Sequence, residues 1–134
     1  MTIVEFINAR LDEEERVAKD AASSLVSLAD QEGAAETWEA DTDSVVTMTG
    51  VSGMTRLFVD AESDVTTHIA RHDPARVLRE IAAKRAIVQE YTDAVDLWER
   101  ESEAPDSVGA LEAVIRLLAA VHADHPDYRQ EWAP

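Results

Sequence analysis

All four histidines of the chain fall into two pairs, His68 with His72 and His122 with His125. Each pair stands beside aspartate: Asp73 in the first case, Asp124 and Asp127 in the second. Spacings of four and three put both imidazoles of a pair on one helix face, and imidazole with carboxylate is a donor set that borderline metals accept. His68, His72, His122, His125 and Asp124 are therefore the candidate metal ligands. Zinc is the cofactor this set suggests; no cofactor is the default. The stretch His68-Ile69-Ala70-Arg71-His72 lacks the glutamate after the first histidine that zinc peptidases use as general base. A structural role is the preferred reading: His72 packs on Val77 as a hydrophobic staple, while His122 and His125 sit at a helix C-terminus, where a cation suits the dipole.

Carboxylates form the second constellation. Asp12 with Glu15, and Glu90 with Asp93, have the i,i+3 spacing by which facing helices hold Mg²⁺ for pyrophosphate cleavage. All-helical nucleotide pyrophosphatases look somewhat like this, but their second acidic pair follows much more closely in sequence. No Gly-rich phosphate loop, Gly-x-Ser-x-Gly elbow or glutamate-rich di-iron pattern appears. Arg76, Arg79, Lys84 and Arg85 form one basic island, which salt bridges to the acidic surface explain.

That surface is extensive: 12 basic residues face 28 acidic ones, a net charge of −16 over 134 residues. Such a charge repels phosphate backbones and anionic lipid heads, so neither direct nucleic-acid binding nor a membrane partner is expected. The chain has no cysteine, which removes disulfides, thiolate metal sites and thiol nucleophiles together. No signal-like N-terminus or bilayer-length apolar run appears, and a cytoplasmic location is expected. One domain spanning residues 1–134 fits the length.

The elements that must position these groups follow from periodicity. From about residue 2 to 30, Ile7, Leu11, Ala18, Ala21, Leu25 and Leu28 recur in the 4,3 alternation of one helix face, extended backward by Ile3 and Phe6. Glu14 alone breaks that seam. Gly33 is a plausible stop. Two β-rich runs, Val45–Thr49 and Thr55–Val59, flank a turn at Gly50-Val51-Ser52-Gly53 and predict a hairpin over about 38–60. A short turn or helix is expected at 66–71. Asp73-Pro74 starts a long helix to about 103, because aspartate accepts from orphan N–H groups and proline at N1 has none to lose. Its seam is Val77, Ile81, Lys84, Val88, Tyr91, Val95 and Trp98. The matched seams predict that the two long helices pack lengthwise. After Pro105, Ser107 caps a third helix to about 121 in which only Glu112 and Arg116 are charged. A helix apolar on most sides is either central to the core or half of a subunit interface. In the tail, 122–134, Tyr128 and Trp132 should pin the chain to the body. The expected fold is α+β, mainly α: three principal helices, one β-hairpin and a docked C-terminal tail.

The stretch from His68 through Asp73, Pro74, Arg76 and Arg79 to Ile81, with Lys84-Arg85, resembles a signature of small uncharacterised proteins from actinobacteria and their phages. Phe6-Ile7-Asn8-Ala9-Arg10-Leu11-Asp12-Glu13 and Ala123-Asp124-His125-Pro126-Asp127-Tyr128-Arg129-Gln130-Glu131-Trp132 look like the two ends of the same family. The likeness implies a phage or actinobacterial origin, in keeping with the preference for arginine over lysine, and no particular activity. Many such proteins carry cysteines between the long helix and the last one, where this chain has Glu99 to Asp106. Asp73, Pro74, Arg76, Arg79, Arg85, Tyr128 and Trp132 are the residues of these motifs expected to serve structure or interaction. The leading expectation is a non-enzymatic interaction protein, acting as a homodimer or on a host protein. Alternatives are an acidic mimic of nucleic acid that inhibits a host DNA- or RNA-binding protein, a His/Asp metal-binding protein, and a Mg²⁺-dependent nucleotide pyrophosphatase-like enzyme.

Overall fold

The computed structural model describes residues 1–27, 37–41, 44–49, 53–58, 63–101 and 107–134. Four helices, α1 (Ile3–Ser27), α2 (Ser63–Arg71), α3 (Pro74–Glu101) and α4 (Ser107–Ala120), dominate; strands β1 (Glu39–Ala40), β2 (Ser44–Thr49) and β3 (Gly53–Phe58) form one small sheet, and a 3₁₀ turn spans Gln130–Trp132. The protein is mainly α with a small antiparallel hairpin, as its periodicity predicts. The expected stop at Gly33, the turn residues 50–52, Val59 and the break at Pro105 lie outside the described residues.

The chain gathers into two compact units, residues 1–13 with 81–134 and residues 14–80. In the second unit, β2 pairs antiparallel with β3, Ser44 opposite Phe58 and Thr49 opposite Gly53. The hairpin gains a third strand that the sequence does not announce: β1 pairs with β2 through Glu39–Val46 and Ala40–Val45. Helix α2 packs on β1 and β2, burying Thr66 and Ala70, and Val45 is buried in β2. The Thr66 hydroxyl lies 3.0 Å from the carbonyl oxygens of both Asp41 and Ser63, so its one proton is shared between the chain leaving β1 and its own helix. This matches a buried polar group to its partners, as burial requires.

The start of α3 follows the local chemistry of Asp73-Pro74. The Asp73 Oδ1 accepts from the backbone N–H of Arg76 at 2.7 Å, and its Oδ2 accepts from that of Trp38 at 3.3 Å. One carboxylate thus caps α3 and ties down the approach to β1. The Arg76 guanidinium donates to Glu80 and to the carbonyl of Arg71 that ends α2, fixing the α2–α3 corner.

In the first unit, the buried side chains are Phe6, Ile7 and Leu11 of α1, Ile81 and Val88 of α3, Val108, Ile115 and Ala119 of α4, and Trp132. The α1 start is a capping box: the Thr2 hydroxyl accepts from the Glu5 N–H, and the Glu5 carboxylate accepts from the Thr2 N–H. Helices α1 and α3 are joined by Arg85, which donates to Asp12 at 2.6 Å. The α3 seam holds at Ile81 and Val88, but Trp98, assigned to it by spacing, is exposed. A 28-residue helix follows a 3.6 period, so a strict 4,3 seam drifts off the packed face toward its end.

Candidate functional site

Phe6 is the hub of the first unit. Fully buried, it is ringed by four aromatic or imidazole groups of the C-terminal segment: Trp132 at 5.1 Å between centroids, His125 at 5.7 Å, Tyr128 at 6.0 Å and His122 at 6.3 Å. Three of these are edge-on, the geometry favoured by the ring quadrupole. Arg116 of α4 holds the far end of the segment, donating to the Glu131 carbonyl at 2.7 Å while paired with Glu112. The guanidinium of Arg129 lies over the Trp132 ring at 5.4 Å. Tyr128 and Trp132 therefore pin the tail, as expected, and the histidines are part of the same packing.

This changes what the second histidine pair can do. Arg10 is hydrogen-bonded to Nε2 of His125. The Asp127 carboxylate lies 3.9 Å from Nδ1. The Asp127 backbone N–H donates to Nδ1 at 3.1 Å. Both nitrogens of His125 are engaged. Beside it, Arg10 also pairs with Glu13 at 3.1 Å, while its Nε is buried without a hydrogen-bond partner. Asp124 is exposed.

The first pair is placed differently. His68 in the last turns of α2 and His72 just beyond it are both exposed, with ring centroids 4.4 Å apart. His72 turns back along the helix, its Nδ1 donating to the His68 carbonyl at 2.9 Å. Asp73 has both oxygens committed to backbone N–H groups. Among the described residues no three histidine or acidic side chains gather as a metal cage would require. Three of the four i,i+3 carboxylates are likewise spent on neighbours, Asp12 on Arg85, Glu15 on Lys19 and Asp93 on Gln89, and Glu90 is exposed. Of the basic island, Arg76 and Arg85 are ion-paired, and Arg79 is exposed.

Helix α4 presents the feature that sequence reasoning did not separate. Its buried face is Val108, Ile115 and Ala119, whereas Ala110, Val114 and Leu117, with Val121 just past its end, are exposed. Leu117 is 57% and Val121 64% exposed. The exposed set has its own 4,3,4 spacing, so two apolar stripes run along one helix. The signal was present as a second heptad-like register, but periodicity alone does not say which stripe faces the core.

The three stretches that carry the family likeness thus occupy defined places. The first and third meet at Phe6, and the second builds the α2–α3 corner. A family model matches residues 1–134, the whole chain. The chain belongs to the family of unknown function DUF6221. No curated protein matches it, and no solved structure does. For this DUF6221 chain, no helix among the described residues is long and apolar enough to cross a membrane.

Proposed function

We propose that this protein is a non-enzymatic interaction module that pairs with a second copy of itself through the exposed apolar stripe of α4. The observation that carries the reading is the contrast between that stripe and the rest of the molecule. Two copies, each of net charge −16, repel one another on most approaches. Helix α4 is the exception, because its only charged residues, Glu112 and Arg116, neutralise each other across one turn at 2.9 Å. Small and aliphatic residues in 4,3,4 spacing let two helices approach closely, and a two-fold axis makes one stripe complementary to itself. A stable dimer buries about 800 Å² per partner, more than one short helix face supplies. Leu97 and Trp98 of α3 are also exposed on this unit.

The acidic surface fits the alternative of a nucleic-acid mimic less well. Many of its carboxylates are paired within the chain, among them Asp12, Glu15, Asp20, Glu80 and Asp96. Light scattering at two salt concentrations tests the proposal. Self-association through an apolar stripe persists or strengthens as salt rises, because screening relieves the repulsion between copies. Monomer mass at both concentrations contradicts it.

A further inference from the structure

We infer that His68 and His72 form a two-imidazole chelate for a borderline divalent transition ion, Cu²⁺ first, then Ni²⁺ or Zn²⁺. Three observations support it. The side chains stand one helical turn apart and are exposed, so an ion reaches them without any element moving. Their ring centroids are 4.4 Å apart and inclined by 39°. Two imidazoles bound to one ion at metal–nitrogen distances of about 2.0–2.1 Å hold their centroids roughly 4.5–5 Å apart, close to the separation seen here. The third observation concerns the tautomer. A carbonyl oxygen only accepts, so Nδ1 of His72 carries the proton in its hydrogen bond to His68, and the lone pair is left on Nε2. Donation from the second nitrogen to a backbone carbonyl is how metal-binding imidazoles are commonly oriented and made more basic.

Two further polar residues of this corner are occupied. Asp73 caps α3 and holds Trp38, and Arg76 is bound to Glu80 and Arg71. Among the described residues the corner therefore supplies two nitrogen donors, with water or an exogenous group in the remaining positions. Such an open site follows the order of intrinsic affinity, Cu²⁺ above Ni²⁺ and Zn²⁺, because nothing enforces a geometry. His125, with both nitrogens engaged by Arg10 and Asp127, is not part of it.

The test is titration of the full chain, free of any affinity tag, with Cu²⁺ alone in a millimolar excess of Mg²⁺. The expected results are one saturable site, a copper spectrum showing coupling to two nitrogens, and broadening of the His68 and His72 ring signals ahead of His125. His68→Gln and His72→Gln, both at exposed positions, should keep the melting temperature of the parent and each weaken Cu²⁺ binding by about tenfold or more, the scale on which lost site groups lower metal affinity. Copper displaced by Mg²⁺ reports adsorption to the acidic surface and overturns the inference, as does unchanged affinity in either variant.

Discussion

Phe6 of α1 and Trp132 of the final 3₁₀ turn stand with ring centroids 5.1 Å apart, tilted by 42°, and both are buried. The two ends of the first unit are held by this contact and the rings around it. Truncating either ring to alanine should cost about 3–5 kcal/mol, the usual loss for a buried aromatic. A double-mutant cycle of Phe6→Ala and Trp132→Ala, followed by denaturant unfolding, should return a coupling of about 0.5–1.5 kcal/mol. Additive effects would place the two rings in independent environments.

Asp73 serves two backbone donors from separate parts of the second unit. Asp73→Ala should destabilise by about 0.5–2 kcal/mol, as loss of an N-cap does. Asp73→Asn, which keeps an acceptor, should retain most of the stability. Thermal melts of the two variants side by side check this, and equal losses would argue against the capping role.

The expectation at Asp73-Pro74 illustrates what is readable in this sequence. A cap and a proline act within one turn, so residue type alone announces them, and α3 begins at Pro74 as predicted. The hairpin follows equally from its β-branched runs. By contrast, β1 is two residues of no strand preference, Glu39-Ala40, and exists only through pairing with β2. Phe6 extends a seam by spacing, but its partners lie at the far end of the chain and no local signal links them. His72 also takes a hydrogen-bond partner that its spacing does not announce, the His68 carbonyl. For α4, composition leaves two alternatives, core or interface; the structure gives one stripe to the core and leaves the other exposed.

Thr66 is buried between two carbonyls. Thr66→Val keeps the shape and removes the donor, so it should destabilise by about 1 kcal/mol and loosen the chain between β1 and β2. Hydrogen exchange should quicken at the Asp41 N–H, which donates to the Ser44 carbonyl at 2.8 Å. Unchanged exchange there would show that the hydroxyl serves α2 alone.

Glu5 accepts from the Thr2 backbone N–H and lies beside the Thr2 side chain and the terminal ammonium, which together hold its carboxyl below the usual 4.5. A carboxylate with a depressed folded value stabilises above its unfolded value, and that contribution disappears as pH falls through the folded one. Glu5→Gln should therefore lower the melting temperature at neutral pH and make little difference in strong acid. A gap between parent and variant that is independent of pH would refute this role.

The proposed self-pairing rests on α4, and Leu117 is its most direct probe. Leu117 is largely exposed in the single chain, so Leu117→Asp should leave the helical spectrum and melting temperature of the monomer unchanged. In a paired stripe the same change buries a carboxylate against apolar surface and adds like charge across the axis. Sedimentation equilibrium of the parent and Leu117→Asp chains at tens of micromolar decides between these outcomes. Self-pairing through α4 gives twice the monomer mass for the parent and monomer mass for the variant. Monomer mass for both, or a dimer in both, would contradict it.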